Sequence, residues 1–235
     1  MRFLADLSIS EIEPTRKGFA QRFGQLIDLS DSINLSNVHG ELRRIKFDPL
    51  DITSEAIHQE FLRVRQTAVQ NIIKSFEPHR GPSTVRLSFP RVCVDDDASF
   101  EPFQRFYLAH QREIDLRVQY IQSYMRDSVS GLSPTLAKLA ALDTAIGDTL
   151  AAHTHKAFAV VPKLLAKRFE HLLEEHQQGS LPLEDASFEA IKLPDQQAKP
   201  APWLKTLRSD MQGLLLAELE VRLLPVLGLV EAVNE

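Results

Sequence analysis

The chain has 235 residues, of which 43% are hydrophobic and 25% are charged, and these are ordinary values for a globular protein that buries a core. Its formal net charge of −5 disfavours nonspecific binding to nucleic acid, so no nucleic-acid partner is expected. Cys93 is the only cysteine, which excludes an internal disulfide and a multi-cysteine metal site. The N-terminal stretch lacks the apolar segment and cleavage site of a secretory signal, so we expect a cytoplasmic protein.

Residues 1–77 are predicted to form a small N-terminal helical region. A short helix is expected over Met1–Leu7, and from Thr15 an amphipathic helix carries an apolar stripe of Phe19, Phe23, Leu26 and Ile27. Ser30 or Asp31 is then predicted to cap a second short helix that carries Ile33 and Leu35.

A longer helix follows, capped by Thr53 or Ser54 and ending near Glu77. Its apolar residues recur at spacings of four, three, four and four, which is typical of one helix face: Ile57, Phe61, Val64, Ala68 and Ile72.

Residues 78–99 are interpreted as the main internal linker, because this stretch is rich in proline and ends in an acidic run. Val85, Leu87 and Phe89 alternate as they would in a strand. Pro90 restricts that pattern to an edge strand or an extended segment.

Residues 100–235 are predicted to form a bundle of long antiparallel amphipathic helices, over 100–128, 134–177 and 201–233. Ser133 is the expected N-cap of the second helix, with Pro134 at its first position, where a missing N–H is harmless. Pro162 falls within this helix, and because the apolar stripe keeps its phase across Pro162, we expect a kink rather than a break. The predicted fold class is therefore all-α.

The C-terminal tail is dense in leucine, which raises the question of where its apolar surface is buried. Glu218, Glu220 and Arg222 lie in the middle of its most apolar stretch, so a transmembrane span is disfavoured. Three interpretations remain open: ordinary core, a surface for a partner or a second copy, and a helix lying on a membrane. One stripe supplies the candidate protein-interface residues: Leu215, Leu219, Leu223, Val226 and Val230.

We find no pattern of residues that predicts catalysis, a cofactor or a metal site. His153 and His155 are two residues apart, so on a helix they point in different directions and do not bind one ion together. His153, which lies on the apolar stripe, is interpreted as a core or interface histidine. The acidic cluster around Asp95 and Asp97 lacks the glycine and glutamate of a calcium-binding loop. We therefore predict a protein without enzymatic activity.

Four runs of the sequence resemble a known family: FAQRFGQLIDLSDSINLS, FQRFYLAHQREID, LSPTLAKLAALDTAIGDTLAAHTHKAFAVVPKLLAKRFEHL and WLKTLRSDMQGLLLAELEVRLLPVLGLVEAV. Together they resemble a proteobacterial family called domain of unknown function 3348. The resemblance covers the N-terminal helices and nearly all of residues 100–233, whereas residues 40–99 match weakly apart from EFLRVRQTAV. It implies no activity and no catalytic residues.

Members of this family look like cytoplasmic proteins encoded beside a membrane protein with a long coiled tail and an OmpA-like peptidoglycan-binding protein, an arrangement similar to motor-stator pairs. The resemblance implies an accessory subunit at the inner membrane that docks on the cytoplasmic tail of a membrane protein. The first hypothesis is therefore a non-enzymatic helical adaptor of a bacterial envelope complex. The alternatives are a self-associating structural or regulatory homodimer and, more remotely, an enzyme with an unrecognised site.

Overall fold

The structure is a computed structural model that describes residues 26–77, 87–90, 99–179 and 201–234. Within those ranges the regular structure is entirely helical, so the fold is all-α, as the sequence predicts. Six complete helices are described: α1 (Leu29–Glu41), α2 (Ser54–Ser75), α3 (Glu101–Ser130), α4 (Pro134–Phe158), α5 (Val161–Gly179) and α6 (Pro202–Ala232). The predictions for the first 25 residues, Cys93 and the acidic cluster lie outside the described residues.

Several helix ends follow the signals in the local sequence. The Thr53 hydroxyl accepts a hydrogen bond from the Ala56 amide at 3.2 Å and caps α2, which satisfies a donor that has no partner within the helix. The Ser133 hydroxyl does the same for α4, and Pro134 occupies the first turn. These two predicted caps are confirmed, and α3 ends at Ser130 with Gly131 as its C-cap, two residues beyond the predicted end at 128.

The predicted cap of α1 is wrong, because Asp28 takes that position. The Asp28 carboxylate accepts from the Asp31 amide at 2.8 Å, and the Asp31 carboxylate accepts from the Asp28 amide at 3.0 Å. This reciprocal arrangement satisfies two free amides at once. Asp31 therefore does take part in the cap, but from the third position of the helix.

The expectation of a kink at Pro162 is also wrong, because the chain forms two separate helices. Helix α4 ends at Phe158, residues 159–160 form a turn, and α5 begins at Val161. Pro162 thus lies in the first turn of α5, where its missing N–H has no role in the helix. The spacing of the apolar residues did not distinguish a kinked helix from two separate helices, since a short turn can preserve that spacing.

One hydrophobic core joins residues from α2, α3, α5 and α6. Helices α3 and α4 form an antiparallel hairpin, in which Arg126 pairs with Asp143 near the turn and Gln111 reaches Phe158 at the far end. Helix α6 lies along α3 in the same direction. The predicted N-terminal region, through α2, and the C-terminal bundle therefore share a core.

Residues 87–90 of the predicted linker pack on this core. The Phe89 amide donates to the Ser75 carbonyl at 2.8 Å, and the Phe89 ring lies 5.3 Å from that of Phe76 and 5.4 Å from that of Phe103 between centroids. These contacts fix the segment against the ends of α2 and α3. The division into domains at residues 78–99 stays a prediction.

Helix α4 is much less buried than its sequence stripe suggests. Ala137 and Ala140 are its buried residues, and every residue from Ala151 to Ala157 is exposed. His153 is exposed, so its interpretation as a core histidine is wrong, and a role for it at an interface stays a prediction. Helix α1, which has no buried residue, packs on the middle of α4.

Candidate interaction surface

The five interface candidates from the sequence lie inside the molecule. At most 3% of the surface of any of them is exposed, and all five belong to the hydrophobic core: Leu215, Leu219, Leu223, Val226 and Val230. The structure therefore uses this face of α6 within its own fold, in accordance with the core interpretation of the tail. Their role at an interface stays a prediction, and it would require the bundle to open.

The opposite side of α6 carries a second apolar surface, which the chain leaves uncovered. Val221 is 49% exposed and Leu224 is 59% exposed. Residues at spacings of three and four share one side of a helix, so these two lie in line with small residues one turn before and after them. We call this surface the outer face of α6 and define it by Ala217, Val221, Leu224, Pro225 and Gly228.

Two features of the outer face follow from its residue types. A Cβ atom added at Gly228 would meet no other atom within 4 Å, so the space beside it is open. Pro225 lies inside the helix and has no N–H, so the carbonyl of Val221, four residues earlier, loses its usual helical donor. Glu220 borders the face, and its carboxylate is paired with Arg65 of α2 at 2.7 Å.

Large apolar side chains are also exposed elsewhere on the bundle. Leu116 is 68% and Tyr120 is 55% exposed on α3, while Leu29 is 78% and Ile33 is 53% exposed on α1. On α3 the neighbours of this pair include the charged residue Arg112 one turn away, so the exposed apolar area is interrupted. The five members of the outer face of α6 are uncharged, and the charged residue one turn before Leu224, Glu220, is paired with Arg65.

A buried polar cluster lies between α3 and α6, and we call it the Glu218 cluster. Glu218, 3% exposed, accepts hydrogen bonds from the Tyr107 hydroxyl at 3.0 Å and from the Gln111 amide at 3.0 and 3.1 Å. The Arg222 guanidinium donates to it at 2.5 Å and also pairs with Asp115. The cluster consists of these five residues.

Burial dominates the titration behaviour of the cluster. It raises the pKa of Glu218 to about 7, although the donors Gln111 and Tyr107 act in the opposite direction. Burial and the neighbouring Glu218 carboxylate raise the pKa of the Tyr107 hydroxyl. Sequence analysis registered Glu218 and Arg222 as obstacles to a membrane span and missed their role here. The signal available was an oppositely charged pair at i,i+4 spacing within the most apolar run of the chain.

The histidine that is buried is His110, which is 3% exposed and packs against the rings of Phe106 at 4.6 Å and Phe76 at 6.3 Å between centroids. Burial lowers its pKa to about 4, so it is neutral at physiological pH. Its Nε2 atom has no hydrogen-bond partner among the described residues. This environment suits a structural histidine.

The described residues can be judged as a chemical site by their groups of metal-binding side chains and by their cavities. They contain no group of three or more His, Cys, Asp or Glu residues that could hold a metal ion. A cavity of about 360 Å³ lies between α1 and α4, with Asp31 on one wall and Asp148 on the other. The Asp31 carboxylate is already occupied by the helix cap, and no member of the Glu218 cluster lines this cavity.

These features define an all-α bundle with a polar cluster inside and an uncovered apolar face on its last helix. Over residues 1–235 the chain matches the model of the family described as protein of unknown function, DUF3348, and the chain belongs to that family. No curated protein and no solved structure shows significant similarity to it. Within the described part of the chain, no helix has the length and apolarity needed to cross a bilayer.

Proposed function

We propose that this protein is a non-enzymatic adaptor that binds a helix of a partner protein on the outer face of α6. The observation that carries the proposal is the exposure of Val221 and Leu224, at 49% and 59%, on a face whose five members are uncharged. Contiguous exposed apolar side chains with a polar border are typical of surfaces that another protein covers. Here the paired Arg65 and Glu220 supply that border on the α2 side.

The shape of the face favours a helical occupant. Val221 and Leu224 project between the small residues Ala217 and Gly228, which leave space for side chains of a partner helix one turn away on either side. The Val221 carbonyl, freed by Pro225, offers a hydrogen-bond acceptor to a polar side chain of that helix. An amphipathic helix with an aliphatic stripe and a serine, threonine or asparagine beside it fits both features.

The resemblance noted from the sequence supplies the proposed identity of that partner. We assign the outer face to the cytoplasmic helical tail of a membrane protein in a stator-like complex of the bacterial envelope. The adaptor itself is then cytoplasmic and peripheral at the inner membrane, where the partner holds it. An adaptor needs no catalytic residues, and Glu218, Tyr107 and His110, whose pKa values burial shifts, lie inside the bundle.

Photo-crosslinking in the native cell tests the proposal. A photoreactive residue replaces Leu224 in one variant and Leu116 in a matched control, since both leucines are large, aliphatic and more than half exposed. We expect position 224 to crosslink to a membrane protein that has a cytoplasmic helical tail, and position 116 to give no such product. A product at 224 that contains two copies of this chain would support the homodimer instead, and equal products at both positions would refute a specific site.

A further inference from the structure

The joint between α4 and α5 is held by two polar side chains from other helices. The Gln111 amide of α3 donates to the carbonyl oxygen of Phe158, the last residue of α4, at 3.2 Å. The Arg222 guanidinium of α6 lies over the Phe158 ring, 4.3 Å from its centroid. A cation over an aromatic face is attractive, and more so where water is excluded.

Both of these side chains are oriented by one carboxylate. Gln111 and Arg222 donate to Glu218 at 3.0 and 2.5 Å, respectively. Arg222 is 9% exposed at its side chain, and its second carboxylate partner, Asp115, is 43% exposed. Glu218 is therefore the buried counter-charge that keeps the guanidinium inside the bundle.

Helix α4 depends on this attachment because its last two turns have little packing of their own. Residues from Ala151 to Ala157 are exposed, and the buried residues of α4 lie near its other end, at Ala137 and Ala140. Phe158 is thus the point at which the C-terminal end of α4 meets the core. Loss of the contacts to Phe158 would free this end of the helix.

We infer that the protonation state of Glu218 controls the attachment of the α4–α5 joint to the bundle. When Glu218 is ionised, Gln111 and Arg222 hold Phe158 in place. When Glu218 is protonated, Phe158 is released. A neutral Glu218 no longer balances the charge of Arg222, so the guanidinium turns toward the half-exposed Asp115 and the solvent. The Phe158 ring then loses its cation, and the amide of Gln111 loses its anionic acceptor. The inference concerns the free protein and does not rest on the proposed partner.

The charged groups around Glu218 are consistent with titration near neutral pH. Arg222 faces it from α6, while the Tyr107 hydroxyl and, through Arg222, the Asp115 carboxylate face it from α3. The α4–α5 joint contributes only the uncharged Phe158. On the remaining elements, Arg65 of α2 pairs with Glu220, and Arg168 of α5 pairs with Asp210.

The sign of the pH effect separates this behaviour from ordinary acid unfolding. The pKa of Glu218 is raised from 4.5 to about 7, so folding favours the protonated form. The contribution of Glu218 to global stability is complete below pH 4.5 and is lost as the pH rises through 7. The attachment of the α4–α5 joint should instead weaken as the pH falls through 7.

Hydrogen exchange of the intact chain, followed across residues 155–163 from pH 5.5 to 8.5, tests the inference. The joint amides include those of Ala159 and Lys163, which donate to the carbonyls of His155 and Val160, respectively. After correction for the pH dependence of intrinsic exchange, we expect protection here to fall about tenfold or more on acidification, with a midpoint near pH 7. Protection that does not change with pH in the wild-type chain would overturn the inference.

Three variants complete the test. Glu218→Gln, which mimics the neutral carboxyl group, should show low protection at every pH, whereas Glu220→Gln is the matched control and should behave as wild type. Phe158→Leu, which removes the ring contact of Arg222 and keeps the backbone carbonyl that accepts from Gln111, should reduce the pH dependence and keeps the test valid if Glu218→Gln fails to fold. A wild-type profile in Phe158→Leu would contradict the inference.

Discussion

At the scale of single residues, burial raises the pKa of Glu218 and lowers the pKa of His110, so that it favours the neutral form of both side chains. Glu218 has three hydrogen-bond donors around it, whereas the Nε2 atom of His110 has no partner among the described residues. Sequence periodicity indicates which face of a helix is buried. It could not have supplied the partners of Glu218, because Tyr107 and Gln111 lie more than 100 positions away along the chain.

His110 should make the protein sensitive to acid. Its pKa is lowered from 6.5 to about 4, so the folded state prefers the neutral ring, and this stability is present above pH 6.5 and lost as the pH falls through 4. The shift corresponds to about 3 kcal/mol. We expect His110→Phe to lose correspondingly less stability between pH 7 and pH 4 in urea unfolding. His153→Phe, at an exposed histidine, is the control and should follow the wild-type profile.

Leu219 distinguishes the core face of α6 from its outer face. It is 1% exposed, so Leu219→Ala should reduce the free energy of unfolding by about 2–5 kcal/mol through lost contacts and a residual cavity. Leu116→Ala on α3, where the side chain is 68% exposed, should change it by less than about 0.5 kcal/mol. Denaturant unfolding of both variants measures the difference, and equal effects would mean that α6 is not packed as described.

At the scale of elements, the sequence predicted helices more reliably than it predicted their connections. The caps at Thr53 and Ser133 rest on local chemistry, and both are confirmed. At the break before Pro162, Phe158 contacts Gln111 and Arg222 of two other helices, and these contacts are tertiary. Local patterns carry no information about such contacts, so a kink and a break were equally compatible with them.

Gly131 should be required where the chain before α2 crosses the α3–α4 turn. The Leu50 amide donates to the Gly131 carbonyl at 3.0 Å, and a Cβ at position 131 would lie 2.5 Å from Cγ and 2.6 Å from Cβ of Leu50. Gly131→Ala should therefore cost about 1–3 kcal/mol of stability through overpacking. In thermal or denaturant unfolding, most of this cost should disappear in a Leu50→Gly background, and an equal cost in both backgrounds would exclude the clash.

At the scale of the whole molecule, α6 is apolar on two sides, and the sequence alone could not tell which of them faces the core. The stripe chosen from the sequence has the more regular spacing, and it is the buried one. The outer face was hidden from sequence analysis because alanine, proline and glycine make up three of its five members. The structure identifies this face because it shows that Val221 and Leu224 are exposed.

The central claim is that this chain leaves the outer face of α6 open for a different protein. Light scattering after size-exclusion chromatography of the intact chain, beside Leu224→Glu, tests it most directly. We predict a monomer of 26.6 kDa for both proteins, since an exposed glutamate replaces an exposed leucine without disturbing the core. A wild-type dimer that Leu224→Glu converts into a folded monomer would contradict the claim, because the face would then belong to a second copy.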